Sequence, residues 1–230
     1  MDLLMTPEFW SALLAIIVID LVLAGDNAIV IGMAARNLPK HQQKKAIIWG
    51  TAGAIIIRAL ATLAVVWLLQ IPGLLGIGGL ILIWISIKLL TSDSGHDNIK
   101  ASGSLASAIW TIVVADTVMG LDNVIAVAGA AHGHFVLVVI GLLISIPIMV
   151  WGSTLILKFM ERYPIVITIG AAILAYTAGK MVTQEPLLAS VFGVYPWIKW
   201  VFIVAVVVGV ILIGRFKNQK QKEKQPAEQS

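Results

Sequence analysis

Seven apolar runs, each near the roughly 20 residues that a helix needs to cross about 30 Å of hydrocarbon, divide this chain. They cover Phe9 to Ala35, Ala46 to Leu69, Leu74 to Leu90, Leu105 to Ala131, Phe135 to Leu157, Ile165 to Val182 and Trp197 to Gly214. Inside a bilayer every backbone amide and carbonyl must find its partner within the protein, so a crossing segment is either a helix or part of a closed barrel. Barrel strands alternate apolar and polar residues, whereas these runs are continuous, which selects helices. Composition agrees: hydrophobic residues make up 59% and charged ones 12% of the chain. Soluble domains sit near about 45–50% and about 25%, so a soluble enzyme is excluded. The chain has no Cys, which removes disulfides, thiolate metal sites, iron–sulfur clusters and cysteine nucleophiles. Asp2 and Glu8 precede the first run and Asp20 and Asp26 interrupt it, so it reads as a retained span rather than a cleaved leader.

Lys and Arg in the short loops set the orientation. Arg36, Lys40, Lys44 and Lys45 follow span one, Lys100 follows span three, Lys158 and Arg162 follow span five, and Arg215, Lys217, Lys220, Lys222 and Lys224 follow span seven. The alternate loops, Gln70 to Gly73, His132 to His134 and Thr183 to Pro196, contain no Lys or Arg, with only Lys199 near that surface. The N-terminus is therefore expected outside and the C-terminus in the cytoplasm. The net charge of +4 is then a topology signal, with an attraction to anionic lipid, and nucleic acid is not expected as a partner. Residues 215–230 are polar, charged and without apolar periodicity, which predicts a disordered basic cytoplasmic tail.

An internal repeat is the most informative feature. Asp20 to Ile29 matches Asp116 to Ile125 at an offset of 116 − 20 = 96, giving the pattern D-x5-D-N twice. Gly78 to Trp84 matches Gly170 to Tyr176, and Lys88 matches Lys180, at an offset of 180 − 88 = 92. Spans one to three thus correspond to four to six. Three crossings is an odd number, so the two halves enter the membrane in opposite directions. The expected fold is all-α: a polytopic membrane domain over residues 1–214, with inverted three-helix repeats at about 9–91 and 105–182 and a seventh helix at 197–214.

Asp20, Asp26, Asp116 and Asp122 lie deep within spans one and four. A charged Asp at a span's centre costs roughly 2.5–3.5 kcal/mol, so four facing lipid would be prohibitive and they must face the bundle interior. Carboxylates gathered in a dry site repel one another and stay ionised only beside a cation; otherwise some take up protons. Either outcome describes a cation pathway. On a regular helix Asp20 and Asn27 share a face, but Asp26 falls about 120° away from Asp20. Gly25 and Gly120 permit a local break that brings these side chains together and frees carbonyls as ligands, as in transporters with discontinuous helices. Carboxylate, Asn27 and Asn123 amide and carbonyl oxygens suit Mg, Ca or Mn rather than Cu or Zn. Met119 adds a soft thioether beside the second motif, although Met on an apolar helix is ordinarily a packing residue. Helix–helix hydrogen bonding without transport is the competing explanation, and four carboxylates repeated in register with two Asn weigh against it.

The motifs AGDNAI at Ala24 to Ile29 and GLDNVI at Gly120 to Ile125, with Asp20 and Asp116 upstream and seven predicted spans, resemble the TerC family of bacterial integral membrane proteins. The likeness is greatest to its short Bacillus-type members, within the broader LysE-like exporter group, and covers residues 1–214. The resemblance implies a multi-pass protein of the bacterial cell membrane, efflux of a metal ion with manganese first and calcium or magnesium open, and the acidic motif residues as the site. It implies no bound cofactor. Some relatives are linked to tellurite resistance and others to metal supply for secreted enzymes.

Arg58 lies in mid-span two, and the matching stretch of span five has Pro147 and Met149 instead of a base. A buried Arg needs a carboxylate, and the intramembrane candidates are those four Asp, so one of them is expected to pair with it. Such an Arg serves as an internal counter-charge that occupies the site when metal leaves. Lys88 and Lys180 lie nearer span ends, where snorkelling is the ordinary role and their repetition suggests gating. His41, His96, His132 and His134 map to loops, where a solvated side chain is the ordinary reading, as it is for Asp93 and Asp97. Trp10, Trp67, Trp110, Trp151, Trp197 and Trp200 read as interfacial anchors.

Three functions follow from these residues: a secondary transporter exporting a divalent cation through a site between spans one and four, an intramembrane aspartyl protease, and a non-transporting scaffold. The transporter is preferred because it alone uses a symmetric set of four Asp with two Asn; the chain is therefore not expected to be an enzyme. The metal ion and the bilayer are its expected partners, with monomer and homo-oligomer both open.

Overall fold

A computed structural model describes residues 7–68, 71–91, 104–131, 135–193 and 195–224. Among the described residues the protein is all-helical, with no strand. The elements in chain order are α1 (Pro7–Ala35), α2 (Lys40–Leu63), α3 (Val65–Leu68), α4 (Leu74–Thr91), α5 (Leu105–Met119), α6 (Leu121–Ala130), α7 (Phe135–Arg162), α8 (Ile165–Gln184), a 3-10 turn (Pro186–Leu188), α9 (Ala189–Phe192) and α10 (Pro196–Lys224).

Helices α2, α4, α7, α8 and α10 are each long and apolar enough to cross a membrane. A sixth candidate is α1, whose halves Phe9–Asp20 and Gly25–Ala35 meet at 46°. The expected fourth span is divided: α5 has 15 residues and stops at Gly120, where α6 begins. Fifteen residues rise only about 22 Å, less than the hydrocarbon thickness. By length and composition the spans among the described residues thus number five, or six with α1. Both breaks fall just past a D-x5-D-N aspartate, Asp20 in one case and Asp116 in the other. The bundle exposes Trp10, Ile56, Leu60, Trp67, Ile77, Leu80, Trp110, Trp151, Trp197 and Trp200, an apolar exterior that suits lipid and not water.

One expectation is corrected at the C-terminus. Helix α10 does not end at Gly214 but continues to Lys224, through most of the segment expected to be disordered. Asn218 reaches back from this extension, donating from Nδ2 to the carbonyl of Leu90 at 3.4 Å. Arg36 Nη2 donates to Leu89 at 2.9 Å, so the C-terminal carbonyls of α4 are capped by a cation and an amide.

Packing joins α1 to α7, α2 to α5 and α4 to α8, while α10 lies against α8 and α4. Small residues let these backbones approach. A Cβ built on Gly50 of α2 would lie 2.7 Å from Ile112 of α5, and one on Gly141 of α7 would lie 2.5 Å from Ile16 of α1. One on Gly79 of α4 would lie 2.7 Å from the carbonyl oxygen of Ala178 in α8. Farther along the same crossing, Ser86 Oγ donates to the carbonyl of Ala171 at 2.8 Å.

Candidate functional site

Asp20, the last residue of α1 before its bend, and Asp116, one turn before the end of α5, meet on Arg58 of α2. Arg58 Nη1 donates to Asp20 Oδ1, and Nη2 donates to Asp116 Oδ1 at 2.6 Å. All three residues are buried, with relative exposures of 2%, 1% and 3% for Arg58, Asp20 and Asp116. An ion in such a site loses its hydration and is tolerated only beside its partners, so breaking the cluster is expected to cost more than its net contribution to stability. Arg58 was expected to hold one carboxylate; it holds two, and they are the two equivalent by repeat.

Each carboxylate bonds the guanidinium through one oxygen. Among the described residues Oδ2 of Asp20, Oδ2 of Asp116 and Nε of Arg58 are buried without a hydrogen-bond partner. Gly120 makes room for the guanidinium: a Cβ there would stand 3.3 Å from Arg58 Nε and 2.9 Å from the carbonyl of Asp116. The carbonyl of Arg58 in turn accepts from Thr62 Oγ1 at 2.8 Å.

Asn27 is buried, and its Nδ2 has no partner among the described residues. Asp26 is half-buried. Asn123 Nδ2 donates to the carbonyl of Met119 at 3.4 Å, spanning the break between α5 and α6. Asp122 begins α6, and its side chain lies outside the described residues. Among the described residues no three His, Cys, Asp or Glu side chains form a metal-sized cluster. Met119 packs in the main core with Met33, Met160 and Met181. Lys88 Nζ lies 3.5 Å from Thr111 Oγ1 and 5.2 Å from the Trp84 ring centroid, while Lys180 and His41 are exposed. Asp93, His96, Asp97, His132 and His134 fall outside the described residues.

Glu185 was not singled out by sequence, although a lone carboxylate between an apolar span and Pro186 was the available signal. It is buried at the end of α8 and accepts from the backbone amides of Gly73 (2.9 Å), Gly76 (2.9 Å) and Leu187 (3.3 Å). It thereby ties the end of α8 to the start of α4, where Gly73 has φ +84°, a left-handed backbone that disfavours other residues. Burial alone would raise the pKa of Glu185, but the amides of Gly76, Gly73, Leu187 and Leu75 outweigh it and hold the group below the ordinary glutamate value. A depressed carboxyl contributes stability that is complete above its unfolded value and lost as pH falls through its folded one. The thermal midpoint of the detergent-solubilised protein is therefore expected to fall as pH is lowered below about 4.5, and to fall less in Glu185→Gln. Equal slopes for the two proteins would refute this assignment.

The sequence pattern of the integral membrane protein TerC family matches residues 5–222. The uncharacterized membrane protein YjbE of Bacillus subtilis is 44% identical over 218 residues, covering 95% of this chain and 100% of its own length. YkoY of the same organism, also uncharacterized, is 25% identical over 79% of this chain and 62% of its own length. YegH of Escherichia coli is 24% identical over 80% of this chain, a match spanning only 38% of that longer protein. No solved structure matches.

Proposed function

The chain belongs to the TerC family of integral membrane proteins, and on that premise we propose that it is a secondary transporter exporting a divalent cation, manganese first, through a site between its broken helices. The observation that carries this reading is the meeting of Asp20 and Asp116, 96 residues apart in the repeat, on one buried guanidinium. A pair of carboxylates at helix breaks in the bundle interior is a costly arrangement that a cation cargo explains.

In this reading α5 and α6 form one broken span, giving seven crossings with the N-terminus outside, as the loop charges require. The contacts support inverted halves. Gly50 against Ile112 and Gly141 against Ile16 exchange partners under the offset of 96 between Ile16 and Ile112 and of 141 − 50 = 91 between the glycines. That second offset also carries the bond from Thr62 to the Arg58 carbonyl onto the 2.6 Å bond from Ser153 to the Met149 carbonyl. Under the offset of 92, Gly79 against Ala178 maps onto Ser86 against Ala171.

A groove of about 420 Å³ opens between α2, α4 and the α5–α6 break, lined by Ile57, Leu60, Ile77, Gly78, Val118 and Leu121. The two equivalent glycines are both buried: a Cβ on Gly78 would meet Val118 at 3.0 Å and Met181 at 3.1 Å, and one on Gly170 would meet Ile29 at 2.5 Å and Met33 at 2.7 Å. With the N-terminus outside, this groove lies in the outer half of the membrane.

The aspartyl protease alternative needs two carboxyl groups sharing a proton. Asp20 and Asp116 share a guanidinium instead. The test is manganese uptake into inverted membrane vesicles. Asp26→Asn and Asp122→Asn are each expected to lower it at least about tenfold, a transition-state loss of about 1.4 kcal/mol. Flux equal to that of the unaltered protein in both would reject the site.

A further inference from the structure

We propose that Arg58 is a resident counter-cation that the metal must displace, so that it weakens metal binding and enables release, and that position 149 can carry the same guanidinium. This rests on the transport reading and concerns how the site is emptied. Asp20 and Asp116 bring two negative charges and Arg58 one positive charge, leaving the cluster with a deficit of one. A divalent ion bridging the two carboxylates while Arg58 stays would instead leave this fully buried cluster, to which the half-buried Asp26 does not belong, with an excess of one positive charge. An Arg does not deprotonate in proteins, so it must move away to relieve this.

The bonding fits an exchangeable partner better than a fixed strut. Arg–carboxylate bridges are strongest as two parallel bonds to one carboxylate. Arg58 instead gives one nitrogen to each aspartate, and Nε and both Oδ2 atoms remain unused in the buried cluster. Those two oxygens are the acceptors that a second cation would find. The missing Cβ at Gly120, 3.3 Å from Nε, keeps space on that side of the guanidinium.

The second half of the proposal comes from the repeat. The offset that pairs Gly50 with Gly141 and Thr62 with Ser153 pairs Arg58 with Met149, a buried side chain whose carbonyl accepts the equivalent hydroxyl bond. Asp20 and Asp116 exchange places under the same operation, so a guanidinium at 149 addresses the same two carboxylates from the opposite half.

The experiment uses the full chain in lipid nanodiscs for calorimetric manganese binding and in proteoliposomes for manganese flux. It compares the unaltered protein, Arg58→Met, Arg58→Lys and the exchange Arg58→Met with Met149→Arg. Arg58→Met is expected to bind manganese at least about tenfold tighter and to move it at least about tenfold more slowly, each step being about 1.4 kcal/mol. Arg58→Lys should fall between, and the exchange should return both quantities to within about threefold of the unaltered protein. A merely structural Arg would not give tighter binding when removed. If Arg58→Met does not fold, the exchange decides: folded with near-normal binding and flux upholds the proposal, and unfolded or folded without binding overturns it. Arg58→Met binding no tighter than the unaltered protein also overturns it, while the transport reading stands. An unaltered protein that neither binds nor moves manganese defeats the transport reading itself, and this proposal with it.

Discussion

Replacing both Asp20 and Asp116 with alanine is expected to destabilise the protein by about 3–5 kcal/mol, and adding Arg58→Met to that double variant is expected to recover most of the loss. The reason is where the charge is left. Either single substitution removes one charge-assisted hydrogen bond, worth about 1.5–3 kcal/mol, but leaves Arg58 a remaining carboxylate. The double substitution leaves a guanidinium at 2% exposure with no counter-charge among its described neighbours. Removing the guanidinium as well converts the cluster to apolar side chains, which such sites commonly tolerate. Thermal unfolding in detergent across the set, read as a double-mutant cycle, measures the coupling. Additive single effects with no recovery on removing Arg58 would show that the three side chains do not act as one cluster.

What could be read from sequence was whatever one segment decides by itself. Five of the seven apolar runs became long helices because length and lipid-facing composition are local properties, and Gly25 and Gly120, each within two residues of a motif Asp, marked the breaks in the string. The partners of Arg58 were not legible: that one guanidinium reaches two carboxylates depends on α2 lying beside both α1 and α5, a fact about packing. Glu185 was missed for a similar reason, since its value lies in three amides, two of which lie at the start of α4, more than a hundred residues earlier. The tail differs for another reason: its Lys, Gln and Glu residues lack an apolar face, yet they are good helix formers, and placed directly after a stable span they prolong it as far as Lys224 without having to nucleate a helix.

Replacing Gly79 with leucine should abolish folding, because two of its three nearest neighbours are backbone atoms that cannot turn away. A Cβ there would stand 2.6 Å from Val182 Cγ2, 2.7 Å from the Ala178 carbonyl oxygen and 3.3 Å from the Val182 amide nitrogen. The valine methyl can rotate, but the carbonyl and amide belong to α8 itself, so the helices must separate. Separation would also weaken the bond from Ser86 to Ala171 farther along the same crossing. Overpacking of this kind costs about 1–3 kcal/mol for a single methyl group, which is the expectation for Gly79→Ala, and Gly79→Leu should leave almost no monodisperse protein. Gly129 and Gly209 supply the contrast: among the described residues nothing lies within 4 Å of a Cβ built on either, so alanine there should be neutral or stabilising by up to about 1 kcal/mol. Size-exclusion profiles of the detergent-extracted variants measure the difference. A Gly79→Leu profile matching that of Gly209→Ala would mean that α4 and α8 do not cross this closely, and the contacts that relate the two halves at this crossing would lose their basis.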